Sequence, residues 1–279
     1  MLEPLQEPFM QRALAEVILV GVAGGALGCW VVFYGFSYAA ESLAHSLFPG
    51  LVIASIAGIP LLLGATPAIV VAALAIALSA RIAGVGREAA VAVVVTTMFG
   101  LGVLLALSPQ SPPGIETLLF GDVFGATDAD LATAAGFAVL AIVALRLLHG
   151  RLLVAGFDRG AARSLGVSPA FADAALLILL AAGTVVAVQG LGNLLVVAVF
   201  VGPAAAARQL SERMLPMMAL AAGLAVLAGV GGLYLSYYAG TAGGASVALA
   251  IVAVYLLSLP LGQLRRSRRA FAPAEVTIA

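Results

Sequence analysis

Nine times along this chain an apolar run of roughly 17 to 25 residues is closed by a glycine, a proline or a charged side chain, at about 9–34, 38–63, 66–82, 89–108, 130–149, 172–189, 193–210, 215–238 and 244–263. A helix of that length crosses a hydrocarbon core about 30 Å thick, at a rise of about 1.5 Å per residue. The runs lack the strict alternation of a barrel strand. Lipid offers no partner to a backbone amide, so the spanning elements are expected to be helices. Composition agrees, with 63% hydrophobic and only 9% charged residues, where a soluble domain carries about a quarter charged. The expected fold is an all-α integral membrane protein, a polytopic bundle of about nine transmembrane helices.

The remaining composition narrows the class. The N-terminal stretch "MLEPLQEPFMQRAL" is acidic and carries prolines where a signal peptide would be basic and then apolar, so no cleaved leader is expected. A single cysteine, Cys29, lies in an apolar run and excludes both a disulfide framework and a cysteine metal cage. The formal net charge of zero leaves no nucleic-acid footprint. No internal repeat stands out, and the chain reads as one transmembrane domain over residues 1–263 with a basic tail at 264–279.

All thirteen basic side chains are arginines, and they set the orientation. With the N-terminus outside, Arg81, Arg87, Arg146, Arg151, Arg159, Arg163, Arg208, Arg213 and the tail "RRSRR" fall on one side and only Arg12 on the other, a twelve-to-one split. That side is cytoplasmic by the positive-inside rule. Glu3, Glu7, Glu16, Glu116, Asp122, Asp128 and Asp130 then gather at or near the outer face. Such an acidic vestibule would concentrate cations; the plainer reading is a set of solvated loop residues. The cytoplasmic connection from about 150 to 171, "GRLLVAGFDRGAARSLGVSPAF", is long, and its "DRGAARSLG" has the acidic start and terminal glycine of a short helix. It suits either a device for receiving a push from the cytoplasm or a connector resting on the headgroups.

Ionisable groups within a span are costly and tend to face a bundle interior or mark a pathway. In the second span Ser37, Glu41, His45 and Ser55 fall within an arc of roughly 80° at about 100° per residue. Glu41 and His45, one turn apart, can aim a carboxylate and an imidazole at a common centre, a ligand pair that suits divalent first-row metals. Two other uses are open: a structural pairing of the two side chains, and a proton relay. Pro49 and Gly50 follow directly, where a kink or unwound turn would free carbonyls to line a passage. Gln189 and Asn193 flank the turn before the seventh span, and Gly202 and Pro203 are expected to break that helix, the pattern of a cavity-lining segment. His149 sits beside Arg146 and Arg151 at a cytoplasmic helix end, and Tyr234, Tyr237 and Tyr238 suit an interfacial aromatic belt. No GxxxxGK[ST], HExxH or Ser/His/Asp constellation is present, so the chain is expected to be no enzyme, and any ATP-driven step needs another chain.

In this order and spacing, "ESLAHSLFPGLVIASIAG", "LLFGDVFGATDADL", "FDRGAARSLGVSP" and "QGLGNLLVVAVFVGPAAAARQL" resemble the permease subunits of ABC-type zinc, manganese and iron importers, over about residues 8–263. The most specific element is an acidic-x-x-x-His-x-x-x-Pro-Gly motif, here Glu41, His45, Pro49 and Gly50. The family usually has Asp at the first of these and Ser before the His, where this chain has Glu41 and Ala44. The resemblance implies a prokaryotic inner (plasma) membrane protein with a cytoplasmic C-terminus and eight or nine spans. It implies a homodimer with cytoplasmic ATPase subunits that bind ATP and Mg2+, and with an extracytoplasmic metal-binding protein. The cargo would be Zn2+, Mn2+ or Fe2+, with Glu41 and His45 as ligands. Asp158, Arg159, Ala162, Arg163, Leu165 and Gly166 would form the coupling helix that docks on the ATPase, since related cobalamin and siderophore importers carry a similar "ARxLG" followed by Pro. Two alternatives stand beside this one: a proton-coupled secondary transporter or channel using Glu41 and His45, and a permease for a metal chelate.

Overall fold

The computed structural model describes residues 3–79, 87–115, 117–193 and 195–270. Glu116 and Arg81 lie outside them, as do the side chains of Glu3, Arg87, Arg266, Arg268 and Arg269. Eleven α-helices and no strand occur among the described residues. In chain order they are α1 Pro8–Phe33, α2 Ser37–Ala57, α3 Leu61–Ser79, α4 Arg87–Ala106, the short α5 Thr117–Phe120, α6 Asp128–Phe157, the short α7 Arg159–Ser164, α8 Pro169–Leu191, α9 Val196–Leu210, α10 Met214–Ala239 and α11 Gly243–Ala270. Each of the nine apolar runs becomes one of the nine longer helices. Seven are long and apolar enough to cross a membrane, while α3 and α9 contribute shorter apolar stretches.

Local chemistry explains where the helices stop. Helix α2 ends at Ala57, before the expected 63, because Gly58 turns left-handed at φ 65° and the Ile59 amide closes back on the Ala54 carbonyl at 3.0 Å. Helix α6 runs on to Phe157 instead of stopping near 149. At 30 residues it spans about 45 Å at the helical rise, so its arginine-bearing end projects past a core of about 30 Å. Much of the stretch read as a loop at 150–171 is therefore helix, and the true connection is the short segment around α7. The breaks expected from proline are absent: α2 is continuous through Pro49 and α9 through Pro203.

Helix α1 is the axle of the bundle, packed against α6, α8, α9 and α10. Gly25 lets α10 approach so closely that a Cβ there would lie 2.8 Å from the Ala221 carbonyl, the small-residue packing by which helices associate in lipid. Helices α3 and α4 lie to one side and pack on α2. Gly50 and Gly64 meet backbone to backbone, and a Cβ on either would collide with the carbonyl oxygen of the other. Pro49 and Gly50 are accordingly buried in the α2–α3–α4 contact, with no unwound turn beside them.

Candidate metal site on helix α2

Helix α2 leaves the short turn after α1 and carries Glu41 and His45 in its second and third turns, the cytoplasmic third of the span in the orientation set by the arginines. Ala44 and Ser46–Gly50 face inward and are buried, whereas Glu41 is exposed and His45 half-buried. The imidazole rests on Phe99 of α4, with ring centroids 4.8 Å apart, and Phe48 packs on the same phenyl ring at 5.5 Å. This packing fixes the ring and leaves Nδ1 buried without a hydrogen-bond partner. Among the described residues no hydrogen bond or ion pair joins His45 to Glu41, so the mutual structural pairing does not form. Ser37, in the first turn, and Ser55 are half-buried.

The two groups thus lie on one helix face, one turn apart, without a hydrogen bond or ion pair among the described residues, and Glu41 is exposed. A protein site for a transition metal needs more ligands than these two. Among the described residues no cluster of three or more His, Cys, Asp or Glu side chains can hold a metal ion within one chain. A different face of α2, with Tyr38, Ser42 and Ser46, lines a cavity of about 790 Å³ shared with Ile69 and Leu177.

The other candidate residues fall into distinct settings. Asn193 is fully buried, donates its backbone N–H to the Leu118 carbonyl at 2.8 Å and leaves both side-chain polar atoms without partners. Gln189 ends the buried face of α8 and accepts the Asp122 amide at 3.3 Å on its carbonyl. At the outer face, Asp122 accepts the Gly125 amide at 3.0 Å, Asp128 pairs with Arg12 at 3.0 Å, and Asp130 closes a capping box with Thr127. Glu16 lies close enough to Asp130 and Asp122 to feel their charges, as its place in that outer group implies, but it is 4% exposed and no solvated loop residue, its carboxyl pressed on Gly190 and its Oε2 without a hydrogen bond among the described residues. The signal was present: at helical spacing Glu16 shares a face with Ala13, Val17 and Val20, all buried.

At the cytoplasmic end "DRGAARSLG" forms α7. Asp158 caps it, accepting the Ala161 and Gly160 amides at 3.0 and 2.7 Å, and these bonds hold its carboxyl below the ordinary aspartate range. Arg159 makes a two-pronged ion pair with Asp173 of α8 at 2.9 and 3.0 Å. Ala162 is fully buried beneath the helix, and Gly166 turns the chain at φ 74°. Arg163 and Leu165, the latter 69% exposed, face outward beside a cavity of about 340 Å³ bounded by Ser168 and Pro169. A rigid little helix with a basic and apolar outer face is thereby tied to α8.

Comparison with known proteins gives one consistent answer. The ABC 3 transport family matches residues 6–262. The chain is 31% identical over 256 residues to the manganese transport system membrane protein MntC of Halalkalibacterium halodurans, covering 91% of this chain and 87% of that one. It is 30% identical over 274 residues to a probable iron transport system membrane protein of Haemophilus influenzae, covering 97% of each. Its fold superposes on a chain of the solved structure of PsaBC from Streptococcus pneumoniae in complex with Fab, with a TM-score of 0.89 at 26% identity, over 96% of this chain and 98% of that one.

Proposed function

Because this chain belongs to the ABC 3 transport family, we propose that it is the transmembrane permease of an ATP-driven importer of divalent transition-metal ions, with manganese or iron as the leading cargo and zinc within the reach of the same ligands. The single observation that carries the reading is the pair on α2: a carboxylate and an imidazole one turn apart, neither in a hydrogen bond or ion pair among the described residues. Oxygen and imidazole nitrogen suit Mn2+, Fe2+ and Zn2+ alike, so ligand type alone does not select among them. Two copies of α2 related by a two-fold axis would bring four such ligands to one ion, enough to complete a shell that one chain leaves half-built.

The permease works by changing access to that site. ATP hydrolysis belongs to separate cytoplasmic subunits, and their closure would reach the bundle through α7, whose cap by Asp158 and clamp from Arg159 to Asp173 suit it to pass a push into α8. An extracytoplasmic binding protein would deliver the ion on the outer side. The complex would lie in the inner membrane of a prokaryote with the C-terminus of this chain in the cytoplasm, as the arginine distribution indicates. Counting metal in the purified complex by elemental analysis tests the site. One ion per two permease chains, lost in Glu41→Ala and His45→Ala, is expected. Retention of the ion in both variants, or uptake by this chain alone driven by a proton gradient, would sink the reading.

A further inference from the structure

A third cavity, of about 970 Å³, opens among the ends of α1, α6, α9 and α10 and is lined by neither Glu41 nor His45. Its size falls at the upper end of the range of pockets that hold small molecules, about 300 to 1,000 Å³. One wall is aromatic and aliphatic: Phe33 and Phe157 meet edge to face at 5.3 Å, with Leu153 and Met217 beside them. The rim is cationic. Arg208, in the last turn of α9, anchors one Nη on the Val32 carbonyl at 3.2 Å and finds no carboxylate among the described residues. Arg213, the cap residue of α10, is exposed and makes no ion pair among them either. His149 lines the same cavity, its ring held edge-on by Trp30 at 5.4 Å. Glu212 also lines the cavity, one acidic group beside the two arginines, and has an interaction of its own within the protein.

Two guanidinium groups lacking carboxylates call for an anion, and their forked donors match a phosphate group. The apolar wall calls for a hydrocarbon tail on the same molecule. Phe157 and Leu215, both lining the cavity, are 78% and 57% exposed, so the wall continues onto the bundle's outer surface. The arginines lie at helix ends on the side the positive-inside rule makes cytoplasmic, the depth of lipid headgroups in a leaflet rich in anionic lipid. We propose that this cavity is a binding site for an anionic phospholipid of the cytoplasmic leaflet, its phosphodiester between Arg208 and Arg213 and its acyl chain against Phe33 and Phe157. The assignment depends on the orientation of the chain and not on Glu41 or His45, so it stands or falls separately from the metal site.

Native mass spectrometry of the full chain, purified with the subunits that accompany it, tests the site by titration with phosphatidylglycerol and, in parallel, phosphatidylcholine. The expected result is a phosphatidylglycerol adduct preferred over phosphatidylcholine by about tenfold or more, because phosphatidylcholine carries the same phosphodiester together with a choline cation that the two guanidinium groups repel. Arg213→Ala, which removes no contact within the described residues, should erase that preference. Arg208→Gln should weaken it, and Arg213→Lys, which keeps the charge without the fork, should retain part of it. Equal binding of both lipids, or an unchanged preference in Arg213→Ala, overturns the proposal. Displacement of phosphatidylglycerol by millimolar inorganic phosphate would make the pocket a free-anion site and overturn it too. Loss of the ATPase subunits in Arg213→Ala with lipid binding intact would assign the surface to a protein partner instead.

Discussion

At the outer end of the bundle three aspartates hold the backbone in shape: Asp122 takes the Gly125 amide, Asp128 the Arg12 guanidinium, and Asp130 the amide and hydroxyl of Thr127. On α2 the position is reversed. Glu41 anchors no turn and His45 keeps a ring nitrogen without a partner, its plane set by Phe99 alone. An ion arriving at the aspartates must compete with bonds the fold already uses, whereas an ion arriving at α2 displaces none. Residue type does not distinguish the two groups; their existing commitments do. The outer acids can still raise the local cation concentration through their field, but the step that discriminates one ion from another needs ligands with lone pairs to give.

This contrast can be broken by experiment. The largest expected effect is in the double variant Glu41→Ala with His45→Ala, which should lower ATP-dependent manganese uptake in proteoliposomes by more than about 100-fold, since loss of a mere supporting contact to a metal ligand already costs about 10- to 100-fold. Asp122→Asn and Asp128→Asn should change uptake by less than about twofold, as expected for exposed groups; an equal collapse in either would erase the distinction. Next comes acidity. A protonated imidazole is no ligand, so metal affinity measured by competition with a chelator should fall by about tenfold or more per pH unit once the solution is acid enough to protonate His45. The same titration on Asp128→Asn should show an unchanged profile.

A smaller effect is expected at the cytoplasmic end. Arg159→Ala frees α7 from Asp173 and should reduce uptake by about tenfold, the order of a lost two-pronged charged contact, while metal counted on the purified complex stays at the wild-type level. Loss of bound metal in that variant would show that α7 supports the site's structure and does not merely carry force. The smallest effect concerns the cap of α7. The folded Asp158 carboxyl lies below its ordinary value, so its contribution is present above the ordinary aspartate range and fades as pH falls through the depressed value. The protection of the Gly160 and Ala161 amides against hydrogen exchange, taken relative to the unstructured rate at each pH, should fall on acidification through that range and be largely absent at neutral pH in Asp158→Ala.

Several helix boundaries were readable because glycine and proline act locally. Gly166 after α7 ends its helix by adopting positive φ and is visible as a single letter; Gly58 does the same after α2, although the apolar run was expected to carry that helix on to 63. The misreadings share one cause. Pro49 and Pro203 were expected to open their helices, yet each helix continues, since packing on α3 and α4 for α2, and on α1 and α11 for α9, holds the chain helical past a missing amide. Gly150 and Arg151 interrupt the apolar run of α6 without ending the helix, because that end projects from the bilayer where such residues are tolerated. Glu16 counted as an outer-loop acid until the neighbours on its own helix face were considered.

From residues alone come the membrane environment, the nine helical segments, the placement of Glu41 and His45 on one helix face, and the capped helix at "DRGAARSLG". All of these depend on periods of a few residues or on summed hydropathy, quantities a linear string contains. Only the tertiary structure decides that Asp128 pairs with Arg12, that Glu16 and Asn193 are buried, that Gly50 is reserved for a backbone crossing, and that Arg208 and Arg213 share a cavity with Phe33 and Phe157. Those outcomes turn on contacts between helices far apart in the chain, such as Arg208 with Val32 and Glu16 with Gly190. Whether a polar group is free for a ligand is a property of what else lies within hydrogen-bond reach, and only the packed bundle settles that.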